Sequence, residues 1–244
     1  MMKRILVVGG ANGIGLSIAK VLAARKETER VYIIDKSPLA SGYQEEKIKS
    51  YEFDLTNSDY SIFDQFGDID GLMITAGFGR LALFKDIPEE MIPLYFSVNT
   101  VAVIRVIKHF YDKLMGKNDF YCGVMVSIAG FLSSPFFSIY GATKAALKVF
   151  IESVNVELVK AGATNRILNV SPGSIKGTCF NQGHNDLAVT LPLAAQIIEQ
   201  LQRKADLFIP DYDTVFKNVL ERYHEDFRRE GIHSYEYKLE RMSK

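Results

Sequence analysis

The chain has 244 residues, 48% hydrophobic and 24% charged, enough apolar material for one large α/β domain and too much for a disordered protein. Its 29 Lys plus Arg balance 29 Asp plus Glu, and no predicted element carries a dense basic stripe, so a nucleic-acid or anionic-membrane role has no electrostatic support. The two cysteines, Cys122 and Cys179, have neither disulfide nor metal-ligand spacing and read as reduced thiols of a cytoplasmic protein.

The opening "MMKRILVVGG" is basic and then apolar, but the apolar run ends after four residues at paired glycines, too short for a signal-peptide core. Residues 5–8 read as a buried parallel strand. A helical pattern follows, with Ile14, Ile18, Val21 and Leu22 on one face. Residues 31–34 form a second short apolar run that ends at Asp35. Strand-like runs recur at 72–75, 123–127 and 166–171, and helix candidates lie at 91–111, 139–160 and 192–204. Strands alternating with helices indicate a parallel sheet covered on both faces. No linker or internal repeat interrupts the alternation, so residues 1–244 are read as a single α/β domain. Residues 205–244 form an atypical, charged and tyrosine-rich tail. There Val215, Val219, Leu220, Tyr223 and Phe227 share a helical face that must pack on the domain or on a second subunit, so the tail is expected to be a lid or an interface. No stretch is expected to approach the ~20 apolar residues of a membrane helix, which suits a soluble, cytoplasmic protein.

The turn "VVGGANGIG" places Gly9, Asn12, Gly13, Ile14 and Gly15 between a strand and a helix. Glycines there let the backbone come close to a pyrophosphate, which the helix N-terminus attracts. A glycine-rich turn alone is weak, but Asp35 stands 20 residues beyond Gly15 at the end of the next strand. A carboxylate in that place can accept hydrogen bonds from the adenosine ribose of NAD and would repel the 2′-phosphate of NADP. Lys36 softens that argument slightly, and Asn12 offers a phosphate no charge. NAD is the expected cofactor, NADP the less favoured one.

The spacing Gly-x-x-x-Gly-x-Gly, with further motifs in order, resembles the short-chain dehydrogenase/reductase family, in its branch of roughly 250-residue single-domain oxidoreductases. "FDLT" supplies Asp54 and Leu55, similar to the family's adenine-recognising pair, and "ITAG" supplies Ala76 and Gly77 beside the adenosine. "SVNT" matches the catalytic asparagine with Asn99, and "VSIAG" supplies Ser127, thirteen residues before Tyr140. "YGATK" is the family's Tyr-x-x-x-Lys, Tyr140 and Lys144. "SPGSIKGT" resembles the segment flanking the nicotinamide, with Pro172, Gly173, Ile175 and Thr178. The resemblance covers residues 4 to about 178 and implies a Rossmann-like doubly wound parallel sheet, helices on both faces and alcohol/carbonyl redox chemistry. The chain departs from the family at Val8, where threonine is usual, at Ile74-Thr75 in place of paired asparagines, and at Thr178, one position late. The usual closing strand is also expected to be missing, which puts the commonest tetramer contact in doubt.

Tyr-x-x-x-Lys alone is more often helix surface than catalytic; its meaning comes from its companions. A free tyrosine has a pKa near 10, too high for a base at neutral pH. Lys144, one helical turn on, and the positive nicotinamide are expected to favour the phenolate. Ser127 would hold the substrate oxygen against Tyr140. From the resemblance come two more roles: Lys144 contacts the nicotinamide ribose, and Asn99 orders a water leading from the lysine to solvent. The phenylalanines Phe78, Phe131, Phe136 and Phe137, with Leu132, line an apolar pocket for a hydrophobic alcohol or ketone or are simply packing; both readings stand. Residues 178–192 are expected to form a lid. The scatter of His109, His184, His224 and His233 suggests no metal. Two alternatives remain: an NAD(H)-binding redox sensor without turnover, and a nucleotide-sugar epimerase or dehydratase of the longer branch, whose glycine spacing and larger C-terminal domain are missing here. In the family, helices corresponding to 91–111 and 139–160 pair across a two-fold axis, which implies a homodimer or homotetramer.

Overall fold

The polypeptide enters its sheet in the middle. In the computed structural model, which describes residues 2–180 and 185–242, the strands are β1 (Arg4–Val8), β2 (Arg30–Asp35), β3 (Ile48–Glu52), β4 (Gly71–Ile74), β5 (Tyr121–Met125), β6 (Arg166–Val170) and β7 (Leu207–Phe208). All pair in parallel, in the order β3-β2-β1-β4-β5-β6-β7, and Val8 of β1 sits opposite Ile34 of β2 and Ile74 of β4. The chain winds one way from β1 to β3 and the other way from β4 to β7. A crevice therefore opens at the carboxyl ends of β1 and β4, where open α/β sheets bind their ligands. This is the parallel sheet that the alternation of elements implied, doubly wound as the family resemblance implied.

Strand side chains alternate in direction, and the two faces are separate cores. Leu6, Val8, Leu72, Ile74, Cys122 and Val124 point to one side. There they meet α3 (Ala102–His109) through Val103 and Val106, and α5 (Ser138–Lys160) through Leu147 and Ile151. Ile5, Val7, Ile33, Met73, Leu168 and Val170 point to the other. Their partners are α1 (Gly13–Ala23), through Leu16 and Leu22, and α6 (Leu187–Gln202), through Ala194, Ile197 and Ile198. Helices α1 and α6 also touch directly, and a 2.6 Å hydrogen bond joins the buried hydroxyls of Ser17 and Thr190.

Several boundaries differ from those expected. β3, "IKSYE", is a half-exposed edge strand, too polar for its run to stand out. β7 has two residues, so a closing strand is present, contrary to expectation, but too short to show as an apolar run. α6 begins at Leu187 rather than at Pro192. Asp186 caps its start by accepting from Ala188 N at 3.0 Å, and Pro192 is carried inside the helix. The second half of the expected 178–192 lid is therefore helix packed on α1, and residues 181–184, with His184, lie outside the described residues. Residues 91–109 form one continuous helical path, α2 (Met91–Phe96), a π-helical turn (Ser97–Val101) and α3; α4 (Tyr111–Met115) follows separately. That path is 19 residues long with a mean hydropathy of 1.4, so by length and composition alone it could cross a membrane, against the expectation that no stretch would. Val103, Val106 and Ile107 turn it onto the core.

Fully buried Asn165 sits at the amino ends of β5 and β6, opposite the crevice. Its Nδ2 lies 3.0–3.3 Å from the carbonyl oxygens of Lys113, Leu114, Gly116 and Asn118, and its Oδ1 accepts from Phe120 N at 3.0 Å. Cys122 and Cys179 are free thiols, and burial pushes Cys122 up to about 12.

Candidate active site

The glycine turn lies at the mouth of the crevice, and its shape is dictated by close approach. A Cβ on Gly9 would stand 2.4 Å from Ala76 N, and one on Gly15 would stand 2.2 Å from Gly9 O and 2.4 Å from Thr75 Oγ1. Thr75 uses that proximity: its hydroxyl donates to Gly9 O at 2.8 Å, so the threonine in the family's asparagine position ties β4 to the turn. Asn12 precedes α1 as its N-cap without a side-chain cap bond, and Ile14 is half-buried. Thr178 lies against Gly13, whose N–H donates to Asn185 Oδ1 at 2.9 Å. The start of α1 thus faces the segment after Pro172-Gly173. Asp35 braces the other side, each carboxylate oxygen accepting one backbone N–H, Ala11 and Ser37, both at 3.0 Å. Phe53 N donates to Asp35 O at 2.8 Å, which brings Asp54 and Leu55 to the same edge. The Thr56 amide and hydroxyl hold the Asp54 carboxyl below its ordinary value.

Asn99 sits in the π-helical turn, whose extra residue shifts the register of that helix towards the crevice. Its Oδ1 accepts from Phe78 N at 2.9 Å and its Nδ2 donates to Phe78 O at 2.8 Å. Both hydrogen-bonding groups of Phe78 are therefore held by one buried side chain. Thr143 Oγ1 receives a weaker bond from the same Nδ2 at 3.4 Å and donates to Tyr140 O at 2.7 Å, linking this turn to α5. A Cβ on Gly77 would stand 3.2 Å from Asn99 Oδ1 and 3.4 Å from Lys144 Nζ, so the three residues meet.

Ser127 follows β5 and accepts from Ala129 N at 3.1 Å. Ile128 N donates to Pro172 O at 3.0 Å, which joins the serine to the Pro172-Gly173 segment. Tyr140 and Lys144 occupy successive turns of α5, both oriented inward, with Lys144 Nζ 5.6 Å from the Tyr140 ring centroid. The lysine head donates to Met125 O at 2.9 Å. The four residues matched to catalysis thus converge, together with Gly77 and Gly173.

Their electrostatics differ from the expectation. Burial pushes Tyr140 up to about 12, against a hydrogen bond from Ser127 that pulls it down, and burial pushes Lys144 down to about 8. Desolvation disfavours the charged form of either group, and for Tyr140 it outweighs the hydrogen bond from Ser127.

The apolar residues divide. Phe137 and Phe180 flank Tyr140, with ring centroids 5.6 Å and 5.2 Å away, and stack on each other at 6.0 Å. Phe78 packs on Tyr95, Phe131 lies under Lys148, and buried Phe136 stacks on Tyr235 of the tail. Of the residues that meet here, sequence reasoning did not single out Thr143 or Phe216. Thr143 lay inside the quoted "YGATK", and its spacing of three from Tyr140 was the available signal. The tail folds as α7 (Lys217–Glu225) and α8 (Phe227–Met242), broken at the extended Asp226. Phe216 reaches the site, for a Cβ on Gly173 would stand 2.5 Å from its ring, whereas Val215 and Phe227 of the expected face are exposed.

Residues 3–187 match the family model of short chain dehydrogenases. The uncharacterised oxidoreductase YvrD of Bacillus subtilis is 28% identical over 237 residues, 91% of this chain and 84% of that protein. Among solved structures, a short chain dehydrogenase/reductase from Burkholderia phymatum in complex with NAD superposes with a TM-score of 0.76 at 16% identity, covering 93% of this chain and 94% of that one. An alcohol dehydrogenase from the archaeon Thermococcus sibiricus, complexed with 5-hydroxy-NADP, gives 0.70 at 19% identity, covering 86% and 96%.

Proposed function

The chain belongs to the short chain dehydrogenase family, and from that premise we propose that it is a nicotinamide-dependent oxidoreductase, NAD-preferring, acting between a secondary alcohol and its ketone. The convergence of Ser127, Tyr140, Lys144 and Asn99 beside the glycine turn carries this reading. The residues fit the cofactor: the turn is packed too closely for any Cβ at Gly9 or Gly15, α1 offers its N-terminus, and Asp35 has lone pairs left for ribose hydroxyls. The neighbours described as bound to NAD and to an NADP derivative support a nicotinamide dinucleotide, and Asp35 favours the form without a 2′-phosphate.

Such a cofactor supplies the hydride acceptor in oxidation and the donor in reduction. Tyr140 takes the hydroxyl proton of an alcohol or gives a proton to a ketone oxygen. Ser127, hydrogen-bonded to Tyr140, orients that oxygen. Lys144 in its charged form favours the phenolate, and Asn99 fixes the Phe78 backbone on the opposite wall. Phe137 and Phe180 suit an apolar substrate. The proposal includes a homodimer or homotetramer.

A panel of secondary alcohols and ketones, assayed by NADH absorbance, tests the reaction. Tyr140→Phe is expected to abolish turnover while sparing NADH binding, and a variant that kept its activity would remove Tyr140 from the mechanism. A clear preference for NADPH would overturn the role given to Asp35.

A further inference from the structure

Lys238 lies on α8, beyond the segment that matches the family, and the chemistry above does not use it. Its Nζ donates to Ser134 Oγ at 3.0 Å and to Pro135 O at 2.9 Å, and stands 5.6 Å from the centroid of the Phe137 ring. All three partners belong to the short run that leads into α5, and Phe137 is the residue whose ring flanks Tyr140. The same helix grips this run twice more. Tyr235 stacks on Phe136 with centroids 4.8 Å apart, and Gly231 admits Ser133, whose Oγ would stand 3.0 Å from a Cβ there. Gly231, Tyr235 and Lys238 are spaced i, i+4 and i+7, one face of the helix.

The gripped run is held in a conformation it would not choose. Phe136 has φ +66°, the left-handed region that aromatic residues rarely enter. Such a backbone persists only where its surroundings over-determine it. Here Tyr235 covers the ring and Ala82 N donates to Phe136 O at 3.0 Å. A simple anchor for α8 could be apolar. Instead the helix places an amine where burial pushes it down to about 8. An ammonium head can serve a hydroxyl, a carbonyl and a ring face together, as an aliphatic side chain cannot.

We infer that Lys238 is a positioning residue: by tying Ser134, Pro135 and Phe137 to α8 it sets the pocket wall beside Tyr140, and so gives the C-terminal helices a part in substrate selection. The selection rests on Tyr140 being the reacting centre; the tie does not. Hydrogen–deuterium exchange on the full-length protein tests the tie directly. In Lys238→Met, amides of residues 131–138 should exchange about tenfold faster while β1 and the glycine turn keep their protection. Lys238→Arg, which keeps charge and donors, should restore most of it, and Tyr235→Leu, a second way to loosen the grip, should also speed exchange in 131–138. The kinetic arm uses acetophenone and cyclohexanone as probes with NADH. Lys238→Met should raise KM about tenfold and leave kcat within about twofold. Unchanged exchange in 131–138 of a folded Lys238→Met, with only its melting temperature lowered, would reduce Lys238 to a tail anchor. A fall in kcat at constant KM would equally overturn the inference. A wild-type protein inert towards both ketones would count against the proposed reaction, and exchange would still decide the tie.

Discussion

At Lys144 burial and the proposed chemistry pull one amine in opposite directions. The fold sinks it beside Tyr140, and burial lowers its pKa from 10.5 to about 8. A base whose folded pKa is depressed adds stability that is fully present above its unfolded pKa and is lost as pH falls through its folded one. Lys144 should therefore stabilise the protein above pH 10.5 and lose that contribution as pH falls through about 8, on the order of 3 kcal/mol by the linkage relation. Denaturant melts of wild type and Lys144→Met at several pH values check this: the wild-type advantage should grow from pH 8 to 10.5. Tyr140 acts the other way. Its folded pKa is raised to about 12, so its contribution is present below pH 10 and is lost as pH climbs through 12. Gly15 gives a second prediction at this scale. In Gly15→Ala the new methyl meets Gly9 O and Thr75 Oγ1, so the turn must open. The variant should lose about 1–3 kcal/mol and most of its affinity for NADH, read by melts and by NADH fluorescence.

Among the elements, legibility followed burial. β1, β2, β4, β5 and β6 are covered on both faces, so each wrote a continuous apolar run that could be read directly. β3 is an edge, and its alternating "IKSYE" resembles a loop; β7 is too short to have a pattern. The candidate site was legible where a residue type is demanded by chemistry, as at Tyr140 and Lys144. It was not legible where a contact depends on chain geometry. Nothing in the spacing of Phe216 says that a segment far along the chain folds back over Gly173. A lowered Tyr140 pKa was expected and a raised one found for the same reason, because depth of burial is a property of the packed elements. Asn165 shows how much one side chain can do between elements. It bonds the end of α4 to the residue before β5, and Asn165→Ala would leave several buried groups unpaired. A loss of about 3 kcal/mol in urea melts is expected, against almost none for a surface asparagine such as Asn57.

For the whole molecule, α5 turns Val149 and Val156 outward, 57% and 63% exposed and two turns apart on one face. That is the apolar strip a two-fold pairing of this helix would cover. Light scattering should give a dimer or larger species for wild type, and Val149→Glu with Val156→Glu should give a monomer; a monomeric wild type would end the proposal. The packing of α1 on α6 has a consequence for how the protein comes into being. The helix that follows the glycine turn rests on one whose last residue is Gln202, so roughly four fifths of the chain must exist before the first helix has its full support. During synthesis the side of α1 that carries Ser17 would wait for Thr190 and α6 for most of the time the ribosome works. A polypeptide stopped at residue 187, the end of the family match, should aggregate rather than fold, and the full chain should depend on chaperones more than a protein whose first elements close on each other.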